Sequence, residues 1–331
     1  MRFTTARRIL IVIPLVLFGP ITSFPEGPDA KARAREVLNQ ARAALGGDAA
    51  LNAVRSLSGS GDFRSGQAGA EVSGEIQLDL LLPDKLMRTM KWSPAKTTTV
   101  TRVDVMDGDH VWTDAQMKQP SEIISSGLTG GGGMSRGGSR GGGGGGHRST
   151  GGGGGSGKQP DINEPVPELG ESTDSQQMRL DFSCLIMALL LHYPDSSQTE
   201  FSYAGDGDIE GAKADFLKIA TRDGPEISLA VDQKSHRPIT AAYKSSMTDT
   251  YRRGRPRLKD RAEKEQTSAP EMAEIQIYVS EYKAIAEKGF NDIWLPYQIT
   301  KARNGQIVMD MHIKKFQLNP HLKPKQFEKK V

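Results

Sequence analysis

The chain has 331 residues, with 43 Lys and Arg against 40 Asp and Glu, and a single cysteine. Residues 1–23 hold three of the basic residues and no acid, so the remainder carries 40 residues of each sign and is neutral. A neutral chain has no overall electrostatic attraction to nucleic acid or to an anionic membrane. One cysteine also excludes an internal disulfide.

The first element is an export signal. Arg2, Arg7 and Arg8 precede an apolar run over residues 9–18, which ends at Gly19 and Pro20. A basic start followed by about ten apolar residues is typical of a secretory signal peptide, predicted here over residues 1–23. The run is far shorter than the roughly 20 residues of a membrane-spanning helix. We therefore expect a periplasmic or cell-envelope protein without a stable transmembrane anchor; the alternative is an uncleaved signal anchor.

The next elements are two helices followed by strands. Helical spacing of apolar residues after Ala32 predicts a helix that stops at Gly46 and Gly47. A shorter helix is predicted from Asp48 to about Val54. Period-two alternation then predicts a half-buried strand over 72–82. A returning strand over 86–92, a third over 100–105 and a partner from residue 111 follow, the last two joined by an Asp-Gly turn at 107–108.

A glycine-rich tract interrupts this pattern. Residues 127–157 include 19 glycines among 31 residues and no acid. Such a segment cannot bury enough apolar surface to offset its ordering entropy, so we predict a disordered insertion over 127–170. Matches to a nucleophile elbow and to a phosphate loop inside it lack the flanking strand and helix that those motifs require. Its three arginines have no aromatic neighbours for stacking bases.

Beyond the tract, a helix is predicted over 175–192. It contains Cys184, which we interpret as a buried small hydrophobe, with a reactive thiol as the alternative. Further strands are predicted at 199–205, 213–221, 226–232, 239–248, 274–280, 293–302 and 307–314. The total is about ten to twelve strands, mostly joined by tight turns, which favours an antiparallel sheet in an α+β fold. A sheet this wide either curls or splits into two.

No constellation of catalytic or metal-binding residues is visible. None of the six histidines has metal-ligand spacing, and His110 and His312 are expected to face solvent. Asp206 and Asp208 flank a glycine, which we interpret as a tight turn rather than part of a calcium loop. We therefore predict a non-enzymatic protein without metal or cofactor, although residues scattered in sequence could converge in the fold to form an active site.

Three stretches resemble the periplasmic lipoprotein-carrier (LolA/LolB-like) superfamily. They are residues 41–47 (Ala-Arg-Ala-Ala-Leu-Gly-Gly) with Leu51 and Val54, strand 72–82 ending in Leu-Pro-Asp-Lys at 82–85, and residues 289–296 (Gly-Phe-Asn-Asp-Ile-Trp-Leu-Pro) with the tail from Ile313 to Phe327. The resemblance covers most of residues 30–331, which we predict to form a single domain. It implies a strongly curved sheet, an incomplete β-barrel, with helices covering its mouth.

The resemblance also implies that the inner face binds a lipid, an acyl chain or another apolar ligand, as a carrier or sensor does; the ligand of such carriers is a lipoprotein. Candidate ligand-binding residues are Leu78, Leu80, Met90, Trp92, Trp112, Phe201, Leu217, Ile277, Met309 and Met311. The two methionines could equally belong to an ordinary core. The alternative function is that of an envelope interaction or assembly protein with a fully packed sheet, whose basic regions at 252–264 and 312–331 would contact an envelope protein partner.

Overall fold

The structure is a computed structural model that describes residues 28–67, 70–95, 97–118, 175–192, 199–221, 226–246, 272–285 and 292–329. The predicted signal peptide, the predicted insertion at 127–170 and the basic region at 252–264 lie outside these ranges. No helix among the described residues is long and apolar enough to span a membrane.

Three α-helices and twelve strands make up the described chain. The helices are α1 (Pro28–Ala44), α2 (Asp48–Ala53) and α3 (Ser175–Leu190), and a short 3₁₀ helix spans Pro324–Gln326. The strands are β1 (Ser56–Gln67), β2 (Ala70–Leu81), β3 (Lys85–Ala95), β4 (Thr98–Asp107), β5 (His110–Lys118), β6 (Thr199–Ile209), β7 (Ala212–Thr221), β8 (Ile227–Asp232), β9 (Pro238–Ser246), β10 (Met272–Ile285), β11 (Ile293–Arg303) and β12 (Gln306–Leu318).

All twelve strands belong to one antiparallel sheet, in the order β5-β4-β3-β2-β1-β12-β11-β10-β9-β8-β7-β6. It consists of two meanders, β1–β5 and β6–β12, which join only where β1 pairs with β12. The edge strands β5 and β6 do not pair with each other, so the sheet is not closed. The predicted antiparallel sheet is confirmed, with a strand number at the upper end of the expected range.

Helix α3 lies in the connection between the two edge strands, and its contacts require the sheet to curl. It contacts β4 and β5 at one edge and also β9, β10 and β11. In a flat sheet β5 and β9, eight places apart, would be separated by about 38 Å at about 4.8 Å per strand. A helix of sixteen residues is only about 24 Å long. The sheet therefore wraps around α3, and we call the face that α3 packs against the concave face.

Strand β1 is the one strand for which the sequence analysis made no prediction. It lies at the centre of the sheet, although its sequence, SLSGSGDFRSGQ, shows no apolar alternation. Two of its positions on the concave face are glycines, Gly59 and Gly61, because neighbouring groups occupy the space of a side chain. A Cβ atom on Gly59 would lie 2.9 Å from the ring of Phe316, and one on Gly61 would lie 2.0 Å from the carbonyl oxygen of His312.

The tight turn predicted at Asp206 and Asp208 is wrong. Both residues lie inside β6, where the register shifts by a bulge between Tyr203 and Gly205, and the strand continues to Ile209. Pairing with β7 extends the strand because Ile209 is buried in a small apolar cluster with Ala214 and Ala230 on the face away from α3. The turn follows at Glu210 and Gly211, both with positive φ.

Candidate ligand-binding face

The concave face carries the apolar side chains that the sequence singles out. Opposite residues of an antiparallel pair point to the same face, so the registers place Leu78, Leu80, Met90 and Trp92 on one face with Met309 and Met311. Across β11 and β10 the same face continues through Ile277 to Leu217. These eight side chains are at most 4% exposed. The fold thus brings them together in one buried cluster that also contains the apolar residues of α3; their contact with a ligand stays a prediction.

Two of the predicted residues have different surroundings. Phe201 lies on the same face but at the edge strand β6, where it is only partly buried. Trp112 is opposite Val105 and points to the other face of the sheet, where its Nε1 donates a hydrogen bond to the backbone oxygen of Phe327, 3.2 Å away. Phe327 is fully buried, so Trp112 fixes the C-terminal tail to the outside of the sheet.

Helix α3 is buried on all sides. Thirteen of its sixteen residues are buried, including Phe182, Ile186 and Leu189. The interpretation of Cys184 as a buried residue is confirmed, and burial raises the pKa of its thiol. Since α3 donates no hydrogen bond to the sheet ladder, the strand pairing does not depend on it for backbone partners.

A buried polar contact anchors α3 to the sheet. Asp181 of α3 lies 2.6 Å from the ammonium nitrogen of Lys301 on β11, and the hydroxyl of Tyr243 on β9 donates to the same carboxylate at 2.7 Å. Burial, together with the charge of Asp181, raises the pKa of Tyr243 well above its usual value, so the phenol stays a donor. The sequence analysis missed this contact because its members are 120 residues apart, counted from Asp181 to Lys301.

A second buried polar cluster lies on β3, β4 and β5, also on the concave face. Asp104 is fully buried and accepts hydrogen bonds from Nη2 of Arg88 at 2.9 Å, from Nε of Arg102 at 2.8 Å and from the hydroxyl of Thr113 at 2.8 Å. The guanidinium of Arg88 also lies 5.3 Å from the ring centre of Phe182 in α3. We call Arg88, Arg102 and Asp104 the arginine cluster. Arg102, Asp104 and Met106 occupy alternate positions of β4 and so share one face of the strand. This spacing is the sequence signal that could have predicted two charged side chains on the concave face.

A cavity of about 260 Å³ lies between α1 and the edge strand β6. Its lining is mixed: Lys31, Arg35, Leu38, Thr199, Glu200 and Phe201. An ion pair between Lys31 and Glu200, 3.1 Å long and well exposed, bridges the two elements. Among the predicted ligand-binding residues only Phe201 reaches this cavity, so it is an opening beside the concave face.

The described residues contain no group of three or more His, Cys, Asp and Glu side chains placed to hold a metal ion. His110 and His312 are exposed, as predicted. Of the basic region at 312–331, Lys314 pairs with Asp62 on β1 at 2.6 Å, and Lys315, Lys323 and Lys325 are exposed.

No family model matches this sequence, and no curated protein matches it. Solved structures do resemble the chain. One is a DUF1329 family protein from Desulfovibrio piger, 11% identical over 89% of this chain and 97% of that one, with a TM-score of 0.43. A LolA superfamily protein from Nitrosomonas europaea is 12% identical over 89% and 97%, with a TM-score of 0.40. A putative outer membrane lipoprotein-sorting protein domain from Vibrio parahaemolyticus is 9% identical over 90% and 97%, with a TM-score of 0.39.

These three structures are what the chain is similar to. The likeness says nothing about a ligand or a partner of this chain.

His192, which follows α3, gives a pH-dependent prediction. It is half-buried, and burial, followed by the charge of Arg42, lowers the pKa of its imidazole below 6.5. Near pH 6 the unfolded chain therefore binds more protons than the folded one, and the free energy of unfolding falls as pH drops below 6.5. We expect His192→Asn to reduce this slope in urea denaturation between pH 5 and 8. The exposed His321→Asn is the control; equal slopes in wild type and His192→Asn would contradict the prediction.

Proposed function

We propose that this is a non-enzymatic protein of the cell envelope that binds an acyl chain or another apolar ligand on its concave face, in the place that α3 occupies in the structure. The basic and apolar N-terminal residues 1–23 support export as a signal peptide. The observation that carries the proposal is that α3, a mostly apolar helix outside the strand ladder, packs against the apolar side chains of the concave face.

Three features make α3 separable. It is the connection between the two edge strands and adds nothing to the strand ladder. Along the chain it is separated from β5 by residues 119–174 and from β6 by residues 191–198. Ten of its thirteen buried residues are apolar, so an acyl chain presents most of the concave face with the same chemistry; the main exception is Asp181, whose contact with Lys301 the exchange would break. The helices α1 and α3 would then cover the mouth of the curved sheet until a ligand arrives.

The energies of the two occupants are of the same order. Burying an acyl chain of about 16 carbons contributes about 0.8 kcal/mol per methylene, or about 12 kcal/mol in total. Burying the eight large apolar side chains of α3 contributes about 12–24 kcal/mol at 1.5–3 kcal/mol each. An acyl chain of about 16 carbons reaches the lower end of that range, dodecanoate at about 9 kcal/mol comes within a few kcal/mol of it, and butanoate at about 2 kcal/mol does not.

The second candidate function is an interaction protein with a permanently packed sheet. The observation that favours it is the burial of α3 itself, because the eight concave residues are already covered. In that case the exposed lysines of the C-terminal region would be the functional surface.

Cys184 gives a direct test, because it is the single cysteine of the chain and is fully buried in α3. We expect a thiol reagent to label the purified protein slowly, and dodecanoate to bind while it accelerates labelling by at least tenfold. Acceleration follows because the ligand exposes a thiol that packing protects. Labelling is followed by mass spectrometry and binding by calorimetry.

The controls are butanoate, which is too short to replace α3, and Cys184→Ala, which should remain unlabelled. Far-UV circular dichroism should show the sheet intact with dodecanoate. Absence of dodecanoate binding would reject the proposed function and leave the packed-sheet alternative. Binding without any change in labelling would reject the exchange with α3.

A further inference from the structure

The arginine cluster places two buried guanidinium groups on the concave face. Arg88 is 5% exposed, Arg102 is 7% exposed and Asp104 is fully buried. Guanidinium groups stay protonated in proteins, and both arginines donate to the carboxylate of Asp104. A buried donor without a partner is costly, so an unused N–H of such a guanidinium favours the binding of an additional anion.

Arg102 is the member of the cluster that has an unused hydrogen-bond donor. Its Nε donates to Oδ1 of Asp104 at 2.8 Å, while its Nη2 is buried and has no hydrogen-bond partner among the described residues. The second oxygen of Asp104 is taken by Arg88, through Nη2 at 2.9 Å and Nε at 3.2 Å. The carboxylate therefore binds one side of the Arg102 guanidinium through Nε, and the donor Nη2 on the other side stays without a partner in the part of the chain that the structure describes.

The surroundings of Arg102 are the predicted ligand-binding residues. In the sheet it is directly opposite Met90 on β3 and Ala115 on β5, and Trp92 follows two positions along β3. A planar guanidinium binds carboxylate and phosphate oxygens with good geometry. A cation set among apolar side chains suits a molecule with an anionic group at one end and an apolar chain at the other.

We propose that Arg102 binds the anionic headgroup of the ligand, a carboxylate or a phosphate, and that the ligand is an anionic amphiphile whose chain lies along Met90 and Trp92. This deepens the proposed function and rests on it. The headgroup supplies the acceptor that Nη2 of Arg102 lacks within the described ranges, and its negative charge pairs with the guanidinium, so the site selects an ionised lipid over a neutral one of equal length.

The test compares ligands that differ only in the headgroup. Binding of dodecanoate, dodecanol, dodecyl phosphate and inorganic phosphate is measured by calorimetry for wild type, Arg102→Gln and Arg102→Lys. Arg64→Gln, an exposed arginine on the outer face of β1, is the matched control. We expect wild type and the control to bind both anionic amphiphiles at least tenfold more tightly than dodecanol. Arg102→Gln should lose about tenfold to a hundredfold in affinity for them and keep its affinity for dodecanol.

Arg102→Lys keeps the positive charge but loses the planar guanidinium. We therefore expect its affinity for the anionic amphiphiles to lie between those of wild type and Arg102→Gln. Equal binding of dodecanoate and dodecanol by wild type would overturn the headgroup site while leaving the proposed function in place. If inorganic phosphate bound as tightly as dodecyl phosphate, the apolar chain would contribute nothing to binding. That result would overturn the proposal of an anionic amphiphile and indicate a site for a free anion. If no C12 ligand binds, the proposed function fails as well. The wild-type comparison decides the proposal even if Arg102→Gln does not fold.

Discussion

Replacing Lys301 with methionine is expected to lower the free energy of unfolding by about 3–5 kcal/mol. The side chain is buried, and its ammonium nitrogen lies 2.6 Å from the carboxylate of Asp181 in α3. The variant leaves that carboxylate in the interior with its charge uncompensated, and the hydroxyl of Tyr243 alone cannot balance it. Urea denaturation monitored by circular dichroism measures the loss.

The double variant Asp181→Asn/Lys301→Met is the control for this prediction. It removes both charges, so we expect it to recover at least half of the lost stability. Equal losses in the single and double variants would show that packing, and not the unpaired charge, sets the effect. Labelling of Cys184 locates the loss: if only α3 detaches, 3–5 kcal/mol corresponds to labelling faster by about two to four powers of ten, with the sheet signal unchanged.

Gly61→Ala is expected to destabilise the protein by about 3 kcal/mol or more. Its new methyl group would lie 2.0 Å from the carbonyl oxygen of His312 and 2.8 Å from the Cα of Ile313, both backbone atoms that cannot move alone. The clash falls at the bulge where β1 pairs with β12, which is the only junction between the two meanders. Denaturant unfolding gives the size of the effect.

Gly59→Ala, two residues away on the same strand, provides the graded comparison. Its nearest contact is the ring of Phe316 at 2.9 Å, a side chain that can shift, so we expect a clearly smaller loss than at Gly61. If both alanine variants lost the same stability, strand propensity and not the backbone clash would explain the change. If Gly61→Ala were neutral, the close approach of β12 to β1 would be wrong.

Local patterns predict much of this fold because each records which face of one element is buried. Alternation over 72–82 predicted β2, and the Asp-Gly pair at 107–108 predicted the hairpin between β4 and β5. Glycines at 46 and 47 marked the end of α1, and the apolar run around Cys184 gave α3. In each case neighbours in the chain, a few residues apart, determine the conformation.

The tertiary structure alone decides the features that pairing between distant segments creates. Strand β1 has no apolar alternation, because Gly59 and Gly61 leave room for Phe316 and the backbone of β12, and so its sequence carries no signal of its own. The side of the sheet that Trp112 faces depended on the buried C-terminal tail. The sequence by itself determined eleven of the twelve strands, most of the turns, the three α-helices and the apolar character of one face. Only the curl of the sheet places α3 against that face and brings Asp181 to Lys301, because contacts over such separations depend on the register of all the intervening strands.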